Sequence, residues 1–199
     1  MATTNLITKS LGDVVTQSGN GEPDHVAPLG SVYSDKDTGT VWKNIDSSTG
    51  WEKLQTVAYG EAYVQNNTTT ATSIGTSNTW TASGVNLTEG IVKGFSGGTQ
   101  NLTLLDGYDG DYEVKLDATL THIAGTPNYE VGVSVNSADP TSGAYNGCYL
   151  DATQLTQHIG VQSIINLTGG TTLSIDIRNL TDTSNVYLEH AQLFARKVG

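Results

Sequence analysis

At 199 residues the chain has room for one ordinary domain with a small appendage; 36% hydrophobic and 15% charged residues exclude a charged disordered chain and a long-helix protein rich in Ala, Glu, Lys and Leu. A formal charge of −11 argues against unaided binding to nucleic acid or to an anionic membrane surface, since both need clustered Lys and Arg. Cys148 is the one cysteine, so no intrachain disulfide framework and no Cys-based zinc site can form.

The 23 glycines and the recurring Thr, Ser and Asn point to extended strands joined by short turns. Met1-Ala2-Thr3-Thr4-Asn5-Leu6-Ile7 has neither the basic start nor the apolar run of a secretory signal, and no stretch approaches the roughly 18 apolar residues of a membrane span. The expectation is synthesis and assembly in a cytoplasm. Asn-x-Ser/Thr sequons begin at Asn66, Asn67, Asn86, Asn101, Asn166 and Asn179; without a signal they read as a by-product of Thr- and Asn-rich turns.

In chain order, residues 1–28 lack periodicity and contain the breakers Gly19-Asn20-Gly21-Glu22-Pro23-Asp24, which predicts an extended arm that something else must order. Residues 29–57 predict a small β-hairpin unit. Its strands are Leu29–Tyr33, Thr40–Asn44 and Trp51–Leu54, with turns at Ser34–Gly39 and Asp46–Gly50. A lone hairpin is marginal in water, so Trp42 and Trp51 call for a partner surface, which a neighbouring copy of the chain would supply.

Residues 58–199 predict one all-β domain. From Tyr112 to Ile123, Tyr112, Val114, Leu116, Ala118 and Leu120 alternate with Glu113, Lys115, Asp117, Thr119 and Thr121, the pattern of a strand with one buried and one wet face. Tyr129, Val131, Val133 and Val135 repeat it, as do Leu155, Ile159, Val161 and Ile165, and then Leu173, Ile175 and Ile177. In the last segment Val186 and Leu188 fall out of phase with Ala191, Leu193 and Ala195, which predicts a β-bulge near His190. Weaker strands are expected at Ala62–Gln65, Ser73–Trp80, Ile91–Ser96 and Leu102–Leu105. Eight or more strands with turns between them and no helical pattern imply a sandwich or barrel.

Two stretches carry a resemblance. Gly30-Ser31-Val32-Tyr33, Asp37-Thr38-Gly39, Val41-Trp42-Lys43-Asn44 and Thr49-Gly50-Trp51-Glu52-Lys53-Leu54 resemble a segment found near the start of phage fibre and virion proteins. Asp109-Gly110-Asp111-Tyr112-Glu113-Val114, then Leu167–Asn179, Val186-Tyr187-Leu188 and Leu193-Phe194-Ala195-Arg196, resemble the trimeric tumour-necrosis-factor-like jelly rolls of phage fibres and decoration proteins, with Gly170-Thr171 where that family commonly has a Gly-Asp turn.

The resemblance implies a bacteriophage virion structural protein: an attachment arm (1–28), a hairpin anchor unit (29–57) and a C-terminal jelly roll (58–199). It further implies a homotrimer, docked on a capsid or tail protein through residues 1–57, on the surface of the head or tail. As a head or tail fibre it would display a knob that meets a host surface glycan or protein. Two other readings stay open: a capsid cement or decoration protein that stabilises the head, and a glycan-degrading virion enzyme.

Several constellations could carry chemistry, and each has a plainer explanation. Asp106-Gly107-Tyr108-Asp109-Gly110-Asp111 offers clustered carboxylates for calcium, but Asp-Gly is common turn chemistry and the spacing is not that of a helix-loop-helix calcium loop. Ser34–Gly39 is weighed in the same way. His25, His122, His158 and His190 show neither metal-ligand spacing nor a nucleophile elbow. Paired acids for glycoside hydrolysis usually sit on longer fibres than this chain can build. Tyr145 and Tyr149, on an expected connector, suit sugar or protein contact, or packing on the sandwich end. No catalytic, cofactor-binding or metal-ligating residue is assigned, no cofactor is expected, and the expectation is a protein that makes and breaks no bond.

Overall fold

The structure is a computed structural model that describes residues 9–11, 14–37, 40–54, 57–122, 127–141, 143–150 and 156–198. None of these is helical. The expectations for Met1–Ile7, Thr38-Gly39, Ile123, Gly125-Thr126 and Leu155 lie outside the described residues. The chain divides into two compact units, 1–56 and 57–199.

The first unit is a five-stranded sheet in the order β1 (Lys9–Leu11), β2 (Val14–Gly19), β3 (Val32–Asp35), β4 (Val41–Asn44), β5 (Trp51–Lys53). Neighbours run antiparallel except β2 and β3, which are parallel. Two strands therefore lie inside the stretch expected as an arm. A parallel pair needs a crossover, and residues 20–31 supply it, held by Ala27 N donating to Ser48 O at 3.1 Å and Gly30 N to Asn44 O at 2.8 Å.

Asn44 shapes the β4–β5 turn. Its Oδ1 accepts from Asp46 N at 3.2 Å and Ser47 N at 2.8 Å, and its Nδ2 donates to Ser48 O at 2.7 Å. The crossover also lays His25 over the sheet, where its ring sits 5.2 Å from Trp51 and 5.7 Å from Tyr33. Trp51 Nε1 donates to His25 O at 2.9 Å, so Trp51 is covered within its own unit rather than left for a neighbouring copy.

The second unit comprises β6 (Tyr59–Val64), β7 (Ala71–Thr72), β8 (Thr81–Ala82), β9 (Thr88–Glu89), β10 (Phe95–Gly97), β11 (Asn101–Leu104), β12 (Gly110–His122), β13 (Asn128–Val135), β14 (Tyr145–Tyr149), β15 (Thr156–Leu167), β16 (Thr172–Asn179) and β17 (Val186–Lys197). One sheet runs β15-β12-β17-β6-β9, with β7 also on β17; the other runs β10-β11-β16-β13-β14, with β8 also on β16. From β12 onward the chain alternates between sheets, except that β13 and β14 form a hairpin in one of them. That alternation of antiparallel strands across two layers makes residues 57–199 a jelly-roll sandwich.

The core is the sum of the inward phases. Tyr112, Val114, Leu116, Ala118 and Leu120 of β12 join Leu173, Ile175 and Ile177 of β16 and Tyr129, Val131 and Val133 of β13, all essentially buried. The bulge in β17 is present: Thr119 pairs with His190 but Leu120 pairs with Leu188, leaving Glu189 as the extra residue. That is how Leu188 and Ala191, three apart, both face inward.

Four sequence expectations are corrected. Ser73–Trp80 is not a strand but the connector from β7 to β8, which crosses from one sheet to the other. Its backbone is held by loops instead of a ladder, with Ile74 N donating to Asn185 Oδ1 at 3.0 Å and Asn78 N to Asn179 O at 2.7 Å. The Ile91–Ser96 strand contracts to Phe95–Gly97. Tyr145–Tyr149, taken for a connector, is the edge strand β14, paired along β13. Residues 14–19 are a strand within the first sheet, as above.

Candidate functional site

Residues 106–109 form the turn into β12, and Gly110 and Asp111 begin that strand. Gly107 has φ 84°, a conformation open to glycine. Asp109 Oδ1 accepts from Gly169 N at 2.6 Å, Asp111 Oδ1 accepts from Asn166 Nδ2 at 2.8 Å, and Tyr112 Oη donates to Tyr108 O at 2.6 Å. The carboxylates thus bind chain neighbours. In the turn that follows β3, Asp35 Oδ1 likewise accepts from Gly21 N at 2.9 Å and Asp37 N at 3.0 Å. Among the described residues no three His, Cys, Asp or Glu side chains converge as ion ligands. Asn179, a sequon position, is buried and holds the turn after β16, donating to Asp182 Oδ1 at 2.6 Å and Ser184 O at 3.2 Å.

The sheet built on the long strands turns a polar face outward. Register stacks three rows across β6, β17, β12 and β15 and a fourth across β17, β12 and β15. These are Tyr59-Arg196-Glu113-Ile164, then Glu61-Phe194-Lys115-Gln162, then Tyr63-Gln192-Asp117-Gly160, and last His190-Thr119-His158. Glu113 accepts from Arg196 Nη2 at 2.6 Å, Gln162 Nε2 at 2.7 Å and Lys115 Nζ at 3.2 Å. Lys115, then Arg196, holds its carboxyl below the usual glutamate range against the cost of its burial.

A shallow depression of about 310 Å³ on this face is bounded by Glu61, Asp117, Thr119, His158 and His190. The sequence could not show that two histidines flank one threonine, because only strand order brings them together. His158 Nδ1 lies 3.5 Å from Thr119 Oγ1 and its Nε2 lies 3.7 Å from Asp117 Oδ1. Hydroxyl, imidazole and carboxylate are the parts of a nucleophilic triad, but such a set needs hydrogen bonds that orient each member. Here the contacts are long and the His158 and Asp117 side chains are 66% and 58% exposed, so nothing fixes them.

A second cluster lies on the outward face of the other sheet. Arg178 on β16 bonds Glu130 on β13 through Nε at 2.5 Å. Its guanidinium lies 4.6 Å from the Trp80 ring and 5.4 Å from the Tyr145 ring, and those two rings meet edge to face at 5.4 Å. Sequence reasoning singled out Tyr145 but missed Trp80 and Arg178. The alternation of β16 marks Arg178 as outward, whereas Trp80 arrives from a connector whose path has no periodic signal. Asp176, two residues earlier on the same face of β16 as Arg178, is buried and accepts from Ser134 Oγ at 2.9 Å. Burial pushes its carboxyl above the usual range, and the Asp139 charge adds to that. Cys148, also buried, has its thiol pushed up to about 11 by burial and is inert as a nucleophile at neutral pH.

Two layers of antiparallel strands in this order define residues 57–199 as a jelly-roll protein. No family model and no curated protein sequence matches the chain. Among solved structures, PRD1 vertex protein P5 is similar over 71% of this chain and 97% of its own, with 16% identity and a TM-score of 0.50. The crystal structure of murine APRIL at pH 5.0 aligns over 72% of this chain and all of its own, with 12% identity and a TM-score of 0.49. At such identities the likeness speaks to the fold.

Proposed function

We propose that the chain is a homotrimeric fibre or spike on a bacteriophage particle, fastened through residues 1–57 to a capsid or tail protein, with the jelly roll displayed for attachment to a host surface. The observation that carries this reading is the pairing of a separate small β unit with a jelly roll whose likeness extends to a vertex protein. The role is mechanical: three weak N-terminal contacts act together as one strong one.

Self-association is assigned to the outward face of the β15-β12-β17-β6 sheet. There Ile164 is 61% exposed, and Tyr59, Tyr63 and Phe194 lie half-buried among paired charges. A mixed surface that carries aromatic rings and has Glu113 already matched by Arg196 and Lys115 can be buried against a second copy without stranding those charges. The test is competition. Purified protein is expected to block adsorption of the particle that carries it, and gold-labelled antibody is expected to mark a few sites per particle. Unchanged adsorption, with label spread over the whole head and a raised temperature of capsid rupture, would turn the reading to cement.

A further inference from the structure

We propose that Trp80, Arg178, Tyr145 and Tyr149 form a binding site for an uncharged pyranose sugar. This rests on the reading of the jelly roll as a displayed knob, and names the class of ligand its surface takes.

Register brings the parts together. Glu130 pairs with Arg178 on one side and with Gly147 on the other, so Arg178, Glu130 and Gly147 form a row across three strands. Thr81 of β8 pairs with Ile177, which sets Trp80 beside Arg178. Tyr145 and Tyr149 flank Gly147 on the same face of β14, about 13 Å apart along an extended strand. Glycine keeps the floor between them low, because a Cβ there would meet Glu130 Cγ at 3.1 Å.

The polar atoms of this cluster are open. Arg178 uses its Nε on Glu130. Among the described residues no protein acceptor is found for its Nη nitrogens, for Trp80 Nε1 or for Tyr145 Oη, and none of these atoms is buried, so they face water. Tyr149 is 54% exposed. The Glu130 bond and the two flanking rings hold the guanidinium in one orientation, so a ligand meets a fork of donors already in place.

A pyranose has an apolar C–H face and a rim of hydroxyls that both donate and accept. Aromatic faces cover the first, and a guanidinium, an indole N–H and a phenol pair with the second. Charge decides which sugars. Glu130 neutralises Arg178, and the chain as a whole carries −11, so a carboxylated or phosphorylated glycan would meet a repelling field.

The full-length protein is titrated with neutral oligosaccharides of glucose, galactose and N-acetylglucosamine and, separately, with oligogalacturonates, following tryptophan fluorescence. At least one neutral sugar is expected to give a saturable change that disappears in Trp80→Phe. Tyr149→Ala, at a half-exposed edge position, and Arg178→Lys are expected to weaken it about tenfold. Circular dichroism and light scattering on the same samples report folding and self-association separately, so failure of the trimer reading is seen apart from failure of the sugar site. No response to any neutral sugar, binding confined to oligogalacturonates, or neutral binding untouched by Tyr149→Ala and Arg178→Lys would each overturn the proposal.

Discussion

Glu113 stands on an outward-facing position of the long central strand with both carboxylate oxygens taken, Oε1 by Lys115 and Gln162 and Oε2 by Arg196. Its folded pKa is depressed, so the stability it contributes is fully present above the ordinary value of 4.5 and is lost as pH falls through the lower folded value. Glu113→Gln should therefore lower the melting temperature at neutral pH, and the gap from wild type should close on acidification below 4.5. Thermal unfolding monitored from pH 7 to pH 3 reads this directly.

Asp176 has the opposite sign. Its folded pKa is raised by burial, so the fold favours the protonated form, and stability declines as pH rises from the ordinary 3.8 through the folded value. Asp176→Asn keeps an acceptor for Ser134 and removes the buried charge. It is expected to raise the melting temperature at pH 7 and to change it little below the ordinary carboxylate value.

Tyr129 is buried with its hydroxyl on Ser184 O and Asn185 O, both at 3.0 Å. Tyr129→Phe should cost about 1 kcal/mol in a denaturant titration. At this scale the sequence was half legible. Inward positions followed from alternation, but who meets whom across strands did not. The rows Arg196-Glu113 and His190-Thr119-His158 exist only once strand order and register are known.

Among elements, the bulge in β17 was legible because it leaves a phase error in the apolar positions. Val186 and Leu188 sit on one parity, Ala191, Leu193 and Ala195 on the other, and all five are buried. The same logic predicts an asymmetry between deletions. Removing Glu189 joins the two halves in one unbroken alternation, so the strand keeps its inward face and loses the Thr121, Asn67 and His190 contacts to Glu189. Removing Phe194 adds a second phase break, between Leu193 and Ala195, that loss of the bulge cannot repair, and should abolish folding, since a one-residue slip reverses every side chain beyond it. Soluble expression with a β-type circular dichroism spectrum for the first deletion, and aggregation for the second, is the expected pair of outcomes.

The strands the sequence misjudged are short or lie at edges. Seen alone, the Thr- and Ser-rich Ser73–Trp80 has the composition of a strand, and only the need to cross between sheets makes it a connector. Tyr145–Tyr149 was concealed for the converse reason: an edge strand buries little, and its inward residue Cys148 is a single apolar signal. Gly60 belongs to the same class of hidden constraint. A Cβ there would come within 2.7 Å of the Phe95 ring, so β6 and the opposite sheet approach through a missing side chain. Gly60→Ala should cost about 1–3 kcal/mol by overpacking, measured as a shift in denaturation midpoint.

At the scale of the whole molecule, the division at residues 56 and 57 means that each unit carries its own sheets. Lys9–Leu11 and Val14–Gly19 enter the first sheet as strands because a small β unit needs more than two hairpins to cover Trp51 and Tyr33, and the crossover that brings His25 over them also brings β2 alongside β3. The jelly roll has the larger core, so a fragment of residues 57–199 should fold alone and retain self-association while losing particle attachment.

The proposed trimer packs through the outward face of the β15-β12-β17-β6 sheet. Sedimentation equilibrium on the full chain and on Ile164→Lys measures that directly. The wild type is expected at three times the mass of one chain at micromolar concentration, with the variant folded by circular dichroism but dissociated. A wild type that sediments as a single chain, or an Ile164→Lys protein that stays trimeric, would contradict it.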